Sequence, residues 1–452
     1  MAKKVCAVVL LICTIVVFSG ISAFAAEAKG NAGDAVTWQY DKTEKTLRFQ
    51  GNGAIKNYAE NEVSPWKEYM AETEKIIIDE GVTANGNYAF AMGEKVKEIS
   101  LPQSLGSIGD GAFGWCSALT DVKLPKDLKT IGDSAFVWCD NLKSVMLPEN
   151  VEKIAGNAFS WSSKLVEFVV AEGNENYTAQ NGILYSKDMS SLVAYPSGLS
   201  QTEFLVPEMV KTIGDSAFIG NNTLQEINLG AGTETIAEKA FFNCKTLKSV
   251  SFGPAVKSID DHAFYGCAAL TKVVLPEGLQ KIGESAFKRC RALADIFIPD
   301  SVTQIAEDAL TETKAEISGY IHSAAQEYAI AQKFVFREIV RVLYQGTALE
   351  FDEMPFIQEG RTLVPMRKIF ETLGAVVTWE DATQTVTAVK GDTVLTITIG
   401  DNVLYKNGVG TALEVPAQWV GERTFVPLRA VSEAFDANVG WDEASSTVTI
   451  TL

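Results

Sequence analysis

The stretch I-G-D-S-A-F-V-W-C-D-N-L-K-S-V-M-L-P, residues 131–148, decides the fold, because its two halves obey different periods. Leu142-x-x-Val145-x-Leu147 alternates, which predicts a short strand with Val145 and Leu147 inward and Ser144 and Met146 outward. Pro148 has no main-chain donor for a ladder bond, so the strand ends there. Ahead of it, Ile131, Ala135, Phe136 and Cys139 fall on one face of a short helical or 3₁₀ turn that packs behind the strand, with Gly132 easing the entry.

The pattern recurs outward in both directions. Phe90, Phe113, Phe136 and Phe159 follow one another at intervals of 23, as do Phe218, Phe241, Phe264, Phe287 and Leu310. A fixed period over this many units is the signature of a solenoid, in which each coil buries its apolar face only against its neighbours. Stacked coils place equivalent strands ~4.8 Å apart in a continuous parallel sheet with one exposed face.

These units resemble BspA-like leucine-rich repeats, a family of bacterial and protist surface and secreted proteins, over roughly residues 34–337. The resemblance implies an α/β leucine-rich repeat solenoid of 23-residue units with a parallel sheet on one face. Residues 26–81, with Trp38, Gly51-Asn52-Gly53, Ser64-Pro65-Trp66 and Ile76-Ile77-Ile78, are similar to that family's N-terminal cap. The solenoid proper is expected over 82–337. The interval from Phe159 to Phe218 is longer, and the segment near 171–207, with Asn181-Gly182 between apolar runs, reads as a hairpin island on the solenoid edge.

From Glu338 the beat stops and a self-match at an offset of 62 begins: Arg361-Thr362-Leu363-Val364-Pro365-Met366-Arg367 recurs as Arg423-Thr424-Phe425-Val426-Pro427-Leu428-Arg429. In each half a strand ends at Val, Pro takes the first helical position, and a short apolar-striped helix follows, stopped by Gly374 or Asp436. Residues 338–452 are therefore expected to be a small α+β domain of two similar halves. They resemble the copper amine oxidase N-terminal-like, or stalk, domain of exported Gram-positive proteins. Amine oxidase chemistry belongs to a separate domain with three copper-binding histidines and a tyrosine-derived quinone; the tail has no histidine, so neither copper nor any other cofactor is expected.

Lys3 and Lys4 precede an apolar run from Val5 to Phe18 and an Ala23-Phe24-Ala25 cleavage site, so residues 1–25 read as a signal peptide and the protein as secreted or cell-wall associated. The run is shorter than the ~20 residues of a membrane span, and Cys13 lacks a lipoprotein context, so no membrane insertion is expected after signal removal. With 57 acids against 39 bases and a net charge of −18, the chain offers no basic footprint for nucleic acid. Two histidines, His262 and His322, cannot build a three-histidine metal site, and no metal site is expected.

Gly132-Asp133-Ser134 and Gly214-Asp215-Ser216 share one repeat column with Gly109-Asp110-Gly111 and read as turns, not nucleophile blocks. Cys116, Cys139, Cys244, Cys267 and Cys290 share a column with Gly93, Ser162, Asn221 and Thr313, which reads as small core filler. Trp115, Trp138 and Trp161 align in a column that elsewhere holds Gly220, Asn243, Gly266 and Arg289, so they are expected to form a ladder open to solvent on one side. A packed ladder sealing the turn edge is the structural alternative. On the sheet, the outward columns are acidic and variable and include Met146 and Phe297. Trp115, Trp138, Trp161, Met146 and Phe297 are thus the candidate ligand-contacting residues, and no catalytic residue is assigned.

The expected function is non-catalytic binding or adhesion to an extracellular protein or glycan through the solenoid. A wall-associated spacer anchored to the cell wall by its C-terminal domain is the alternative. A wall or polysaccharide hydrolase would need a carboxylate pair, and none stands out from the repeat pattern.

Overall fold

A computed structural model describes residues 28–452; the signal-peptide reading of residues 1–25 lies outside the described residues. Most coils contribute a strand of three or four residues to one face, as Ser144–Leu147 pairs in parallel with Glu167–Val170. The pairing register, Ser144↔Glu167 through Leu147↔Val170, is the sequence period itself. Val145 and Leu147 are buried and Met146 is exposed, as the alternation predicts.

The solenoid carries a second parallel ladder in addition to the expected sheet. Thr130–Ile131 pairs in parallel with Lys153–Ile154 and, on its other side, Ser107–Ile108. Its inward column, Ile108, Ile131, Ile154, Ile213, Ile236, Ile259 and Ile282, is buried, and Ile305 at the last rung is half-buried. Where this ladder is interrupted, a tyrosine hydroxyl replaces the missing carbonyl: Tyr177 accepts from the Ile154 amide at 3.0 Å, and at the end of the turn stack Tyr328 does the same for the Leu310 amide at 3.1 Å.

Between the two ladders the chain turns without forming a helix. Ser134 and Trp138 both have left-handed φ values, 54° and 57°, and a left-handed residue every fourth position breaks an α or 3₁₀ run. The alternation aims successive amides along the stack, so Gly111, Phe113 and Trp115 donate to the carbonyls of Asp133, Ala135 and Val137 one coil on, at 2.7–2.8 Å. The phenylalanines behind these turns stack down the core, with ring centroids 5.2 Å apart for Phe90–Phe113 and for Phe136–Phe159.

The N-terminal end is closed by an antiparallel hairpin, Val36–Asp41 with Thr46–Gly51, whose second strand starts the parallel sheet against Lys75–Ile78. Trp66 is fully buried behind it, and its indole N–H donates to the Ala89 carbonyl at 2.7 Å. At the other end the helix Ala324–Gln332 packs on the last coil, and Glu316–Gly319 and Phe336–Glu338 extend the sheet.

The segment near 171–207 is not a peripheral island. Tyr177–Gln180, Ile183–Ser186 and Ser191–Ala194 form an antiparallel meander whose last strand joins the short-strand ladder against Thr212–Ile213. Leu184 and Tyr177 belong to the core of the preceding coils, and Ile183, Tyr185, Leu192 and Tyr195 to that of the following coils. Burial on both sides explains the placement: an edge island would leave these large apolar side chains in water. Tyr195 sits in the phenylalanine column, stacked on Phe218 with centroids 4.7 Å apart, so one coil carries Ala194-Tyr195 where its neighbours carry Ala-Phe.

In the tail, Arg361–Pro365 and Arg423–Pro427 pair antiparallel across the two halves and run into the helices Met366–Thr372 and Leu428–Ala434. Pro365 and Pro427 are the residues just before these helices, with φ near −58° and −59°, one position earlier than expected. Gly374 and Asp436 both adopt left-handed φ, 86° and 63°, and end the helices. The halves then diverge, the first into a five-stranded meander from Val376 to Ala412, the second into Asn438–Asp442 and Thr447–Thr451, which pairs with Arg341–Tyr344.

Candidate functional site

The tryptophan column lies where the backbone turns left-handed. Trp115, Trp138 and Trp161 have φ of 62°, 57° and 61°, and the same column holds Gly220 and Gly266 with φ of 69° and 72° and Asn243 with 56°. Gly and Asn occur there because they tolerate this conformation; a bulky residue in it carries a local cost. Trp138 and Trp161 stack face to face, with centroids 5.0 Å apart and planes 6° from parallel. Trp138 is 40% exposed, while Trp161 is half-buried and lies on the backbone of Gly220, where any added Cβ would collide with its ring. Trp115, half-buried one coil earlier, makes no ring contact among the described residues. The structure therefore brings together two of the three aligned tryptophans, as a flat apolar surface with one open side.

A second stack on the same edge escaped the sequence reading. Phe242 and Tyr265 lie 4.8 Å apart and 5° from parallel, with the Arg289 guanidinium 5.5 Å from the Tyr265 ring. Their spacing of one repeat was the available signal.

On the sheet, Met146 is 53% exposed and is the register partner of the exposed Val169. Phe297, expected to face outward, is buried. Its ring meets Tyr320 edge-on at 6.1 Å, and the Arg341 guanidinium sits 4.3 Å from the Tyr320 ring. Lys272 pairs with Glu353 of the tail at 2.6 Å, and Arg341 pairs with Asp300. The last rungs of the face are thus covered by the segment leading into the tail, and Phe297 is removed from the set of exposed contacts. Burial, aided by the nearby Glu277 charge, pushes the Tyr320 hydroxyl up to about 12.

Charge along the outward face is uneven. Asp295 is paired with Arg337 and Lys272 with Glu353, whereas Glu167, Glu203 and Glu226 are exposed and have no ion-pair partner among the described residues. The middle of the face is consequently an acidic, uncompensated zone beside the apolar row Met146, Val169 and Leu205.

The cysteine column is inert. All five thiols are free and buried, and Cys139 donates to the Phe113 carbonyl at 3.4 Å just as Ser162 donates to Phe136 at 3.2 Å. Burial pushes the Cys116 thiol up to about 12, away from the thiolate that reactivity requires. Among the described residues no cluster of His, Cys, Asp and Glu could hold a metal ion, and no helix is long and apolar enough to cross a membrane.

A coiled core of identical columns under a parallel ladder defines a leucine-rich repeat solenoid. The chain belongs to the BspA type leucine rich repeat family, whose pattern matches in six copies over residues 68–185 and 194–316. The copper amine oxidase N-terminal domain family, a non-catalytic module, matches residues 343–450. No curated protein matches the chain. Among solved structures, the pneumococcal vaccine antigen PcpA is similar at 18% identity and a TM-score of 0.50, over 68% of this chain and 97% of that one. A leucine-rich repeat protein of Eubacterium ventriosum shares 23% identity over 63% of this chain and 95% of its own, at a TM-score of 0.49. A leucine rich cell surface protein of Faecalibacterium prausnitzii shares 22% over 68% and 98%, at 0.44. At these identities the likeness concerns the fold alone.

Proposed function

We propose that the protein is an exported, non-catalytic recognition protein that binds an extracellular protein or glycan through its solenoid. The observation that carries this reading is the stacked Trp138–Trp161 pair, an apolar surface left open on a turn edge where the fold tolerates Gly. A stacked indole face fits the apolar face of a sugar ring or an apolar side chain of a partner. Met146 and Val169 supply a second apolar contact on the sheet. The tail is proposed to link or anchor the solenoid to the cell envelope. Replacing Trp138 and Trp161 together with Ala, followed by capture assays on cell wall, soluble polysaccharides and matrix proteins, tests the reading; capture that is unchanged across all three would refute it.

A further inference from the structure

The long-strand face is divided into several sheets, and one of the breaks lies in the middle of the solenoid, at the meander. Glu167–Val170 is the last rung of one sheet and Glu203–Leu205 the first rung of the next. The two edges differ. That of Glu167–Val170 is met by the meander's turn, with the Phe168 amide donating to the Gly182 carbonyl at 2.8 Å. That of Glu203–Leu205 pairs with Glu226–Asn228 on one side and has no strand on the other.

The direction of its free groups follows from its bonds. The Thr202 carbonyl accepts from Glu226 and the Val206 amide donates to the Asn228 carbonyl, so even-numbered residues bond toward the neighbouring strand. Main-chain groups alternate sides along a strand, which turns the N–H and C=O of Glu203 and Leu205 away from it. They face a cleft of about 700 Å³ bounded by the buried Ile183 and Tyr185 and by the exposed Gln180 and Asn181 of the meander. An edge of this kind is a template for pairing with another chain unless charge, proline or a covering segment blunts it.

The side chains along the edge specify the partner. Leu205 is 65% exposed, while Glu203 and its register partner Glu226 carry two uncompensated negative charges on a chain of net charge −18. We propose that the edge of Glu203–Leu205 docks an extended peptide segment that carries a basic and an apolar side chain two residues apart, on the same face, and adds to the sheet as a further strand. Main-chain bonds to Glu203 and Leu205 supply affinity, Leu205 takes an apolar side chain, and Glu203 with Glu226 takes a lysine or arginine. This deepens the recognition reading and rests on it, but uses a surface separate from the tryptophan pair.

The test uses the full chain and a labelled synthetic peptide of repeating Lys-Thr-Val-Thr, which sets Lys and Val alternately along one face, read by fluorescence anisotropy. Saturable binding is expected, weakened at least ~10-fold, about 1.4 kcal/mol, when alternate peptide nitrogens are methylated, when Lys is replaced by Glu, or in the Glu203→Lys, Glu226→Lys protein. Leu205→Pro removes a donor that faces the cleft and spares the ladder with Glu226–Asn228, so it should weaken binding while circular dichroism stays unchanged. No saturable binding, equal affinity for the methylated peptide, or equal affinity in the charge-reversed protein would each overturn the proposal. Capture by the tryptophan pair is scored separately in the Trp138→Ala, Trp161→Ala chain, so failure of the peptide site and failure of the recognition reading give different results.

Discussion

The indole rings of Trp138 and Trp161 lie 5.0 Å apart and nearly parallel because both residues occupy the same left-handed turn position in successive coils. The contact is set by the stacking of the coils, yet it leaves one ring face and edge in water. If it is chiefly a binding surface, it should contribute little to folding. An aromatic pair is worth about 0.5–1.5 kcal/mol beyond its area burial, and a double-mutant cycle of Trp138→Ala and Trp161→Ala in urea should return a coupling of that size. Trp138→Asn, which places in the column the residue found at Asn243, should be better tolerated than Trp138→Ala, since Asn adopts the left-handed turn more readily.

Gly220 is the position where a single methyl should do most harm at this edge. Its φ is 69° and the Trp161 ring lies where the Cβ would stand, so Gly220→Ala combines backbone strain with overpacking and should cost roughly 2–4 kcal/mol. Gly346→Ala, at φ 82° but with open space around it, should cost only about 1 kcal/mol. Equal losses in chemical denaturation would mean that Trp161 does not rest on Gly220.

The cysteine column should behave as packing. Cys139→Ser preserves the donor to the Phe113 carbonyl in a column where Ser162 already makes the same bond, and should cost at most about 1–2 kcal/mol. Phe136→Ala opens a cavity between Phe113 and Phe159 and should cost about 3–5 kcal/mol. Thiol titration of the folded protein should find Cys116, Cys139, Cys244, Cys267 and Cys290 slow to react until the chain unfolds.

Alkaline pH should unfold the protein cooperatively. Burial pushes the hydroxyls of Tyr185 and Tyr195 from 10.0 to about 12, and that of Tyr320 likewise. A raised folded-state value means that the unfolded chain loses these protons first. The stabilising contribution is complete below pH 10 and is lost as pH rises to about 12. Tyrosinate absorbance and circular dichroism should therefore change together in this interval. Tyrosines ionising well before loss of structure would contradict the burial of Tyr185 and Tyr195 between the two halves of the solenoid.

Much of this architecture was readable from residue columns. The 23-residue beat, the inward Val145 and Leu147 and the duplicated Pro365 and Pro427 are local, repeated signals, and the structure reproduces them. The second ladder was not readable, because a strand as short as Thr130–Ile131 has no alternation to detect. The coil at Tyr195 was hidden by a Tyr in the phenylalanine column, so the meander looked like an island. Gly220, Asn243 and Gly266 in the tryptophan column signalled solvent access, but they equally mark a left-handed turn. The burial of Phe297 depends on Tyr320 and Arg341, which lie beyond its own repeat and cannot be inferred from its column.

The most direct measurement of the recognition reading is capture of the full chain, wild type against Trp138→Ala, Trp161→Ala, on purified cell wall, soluble polysaccharides and extracellular matrix proteins. Retention of the wild type on one of these ligand classes and its loss in the double variant is the expected result, with both proteins equally folded by circular dichroism. Equal retention of both proteins, or retention of neither on every ligand class, would contradict it.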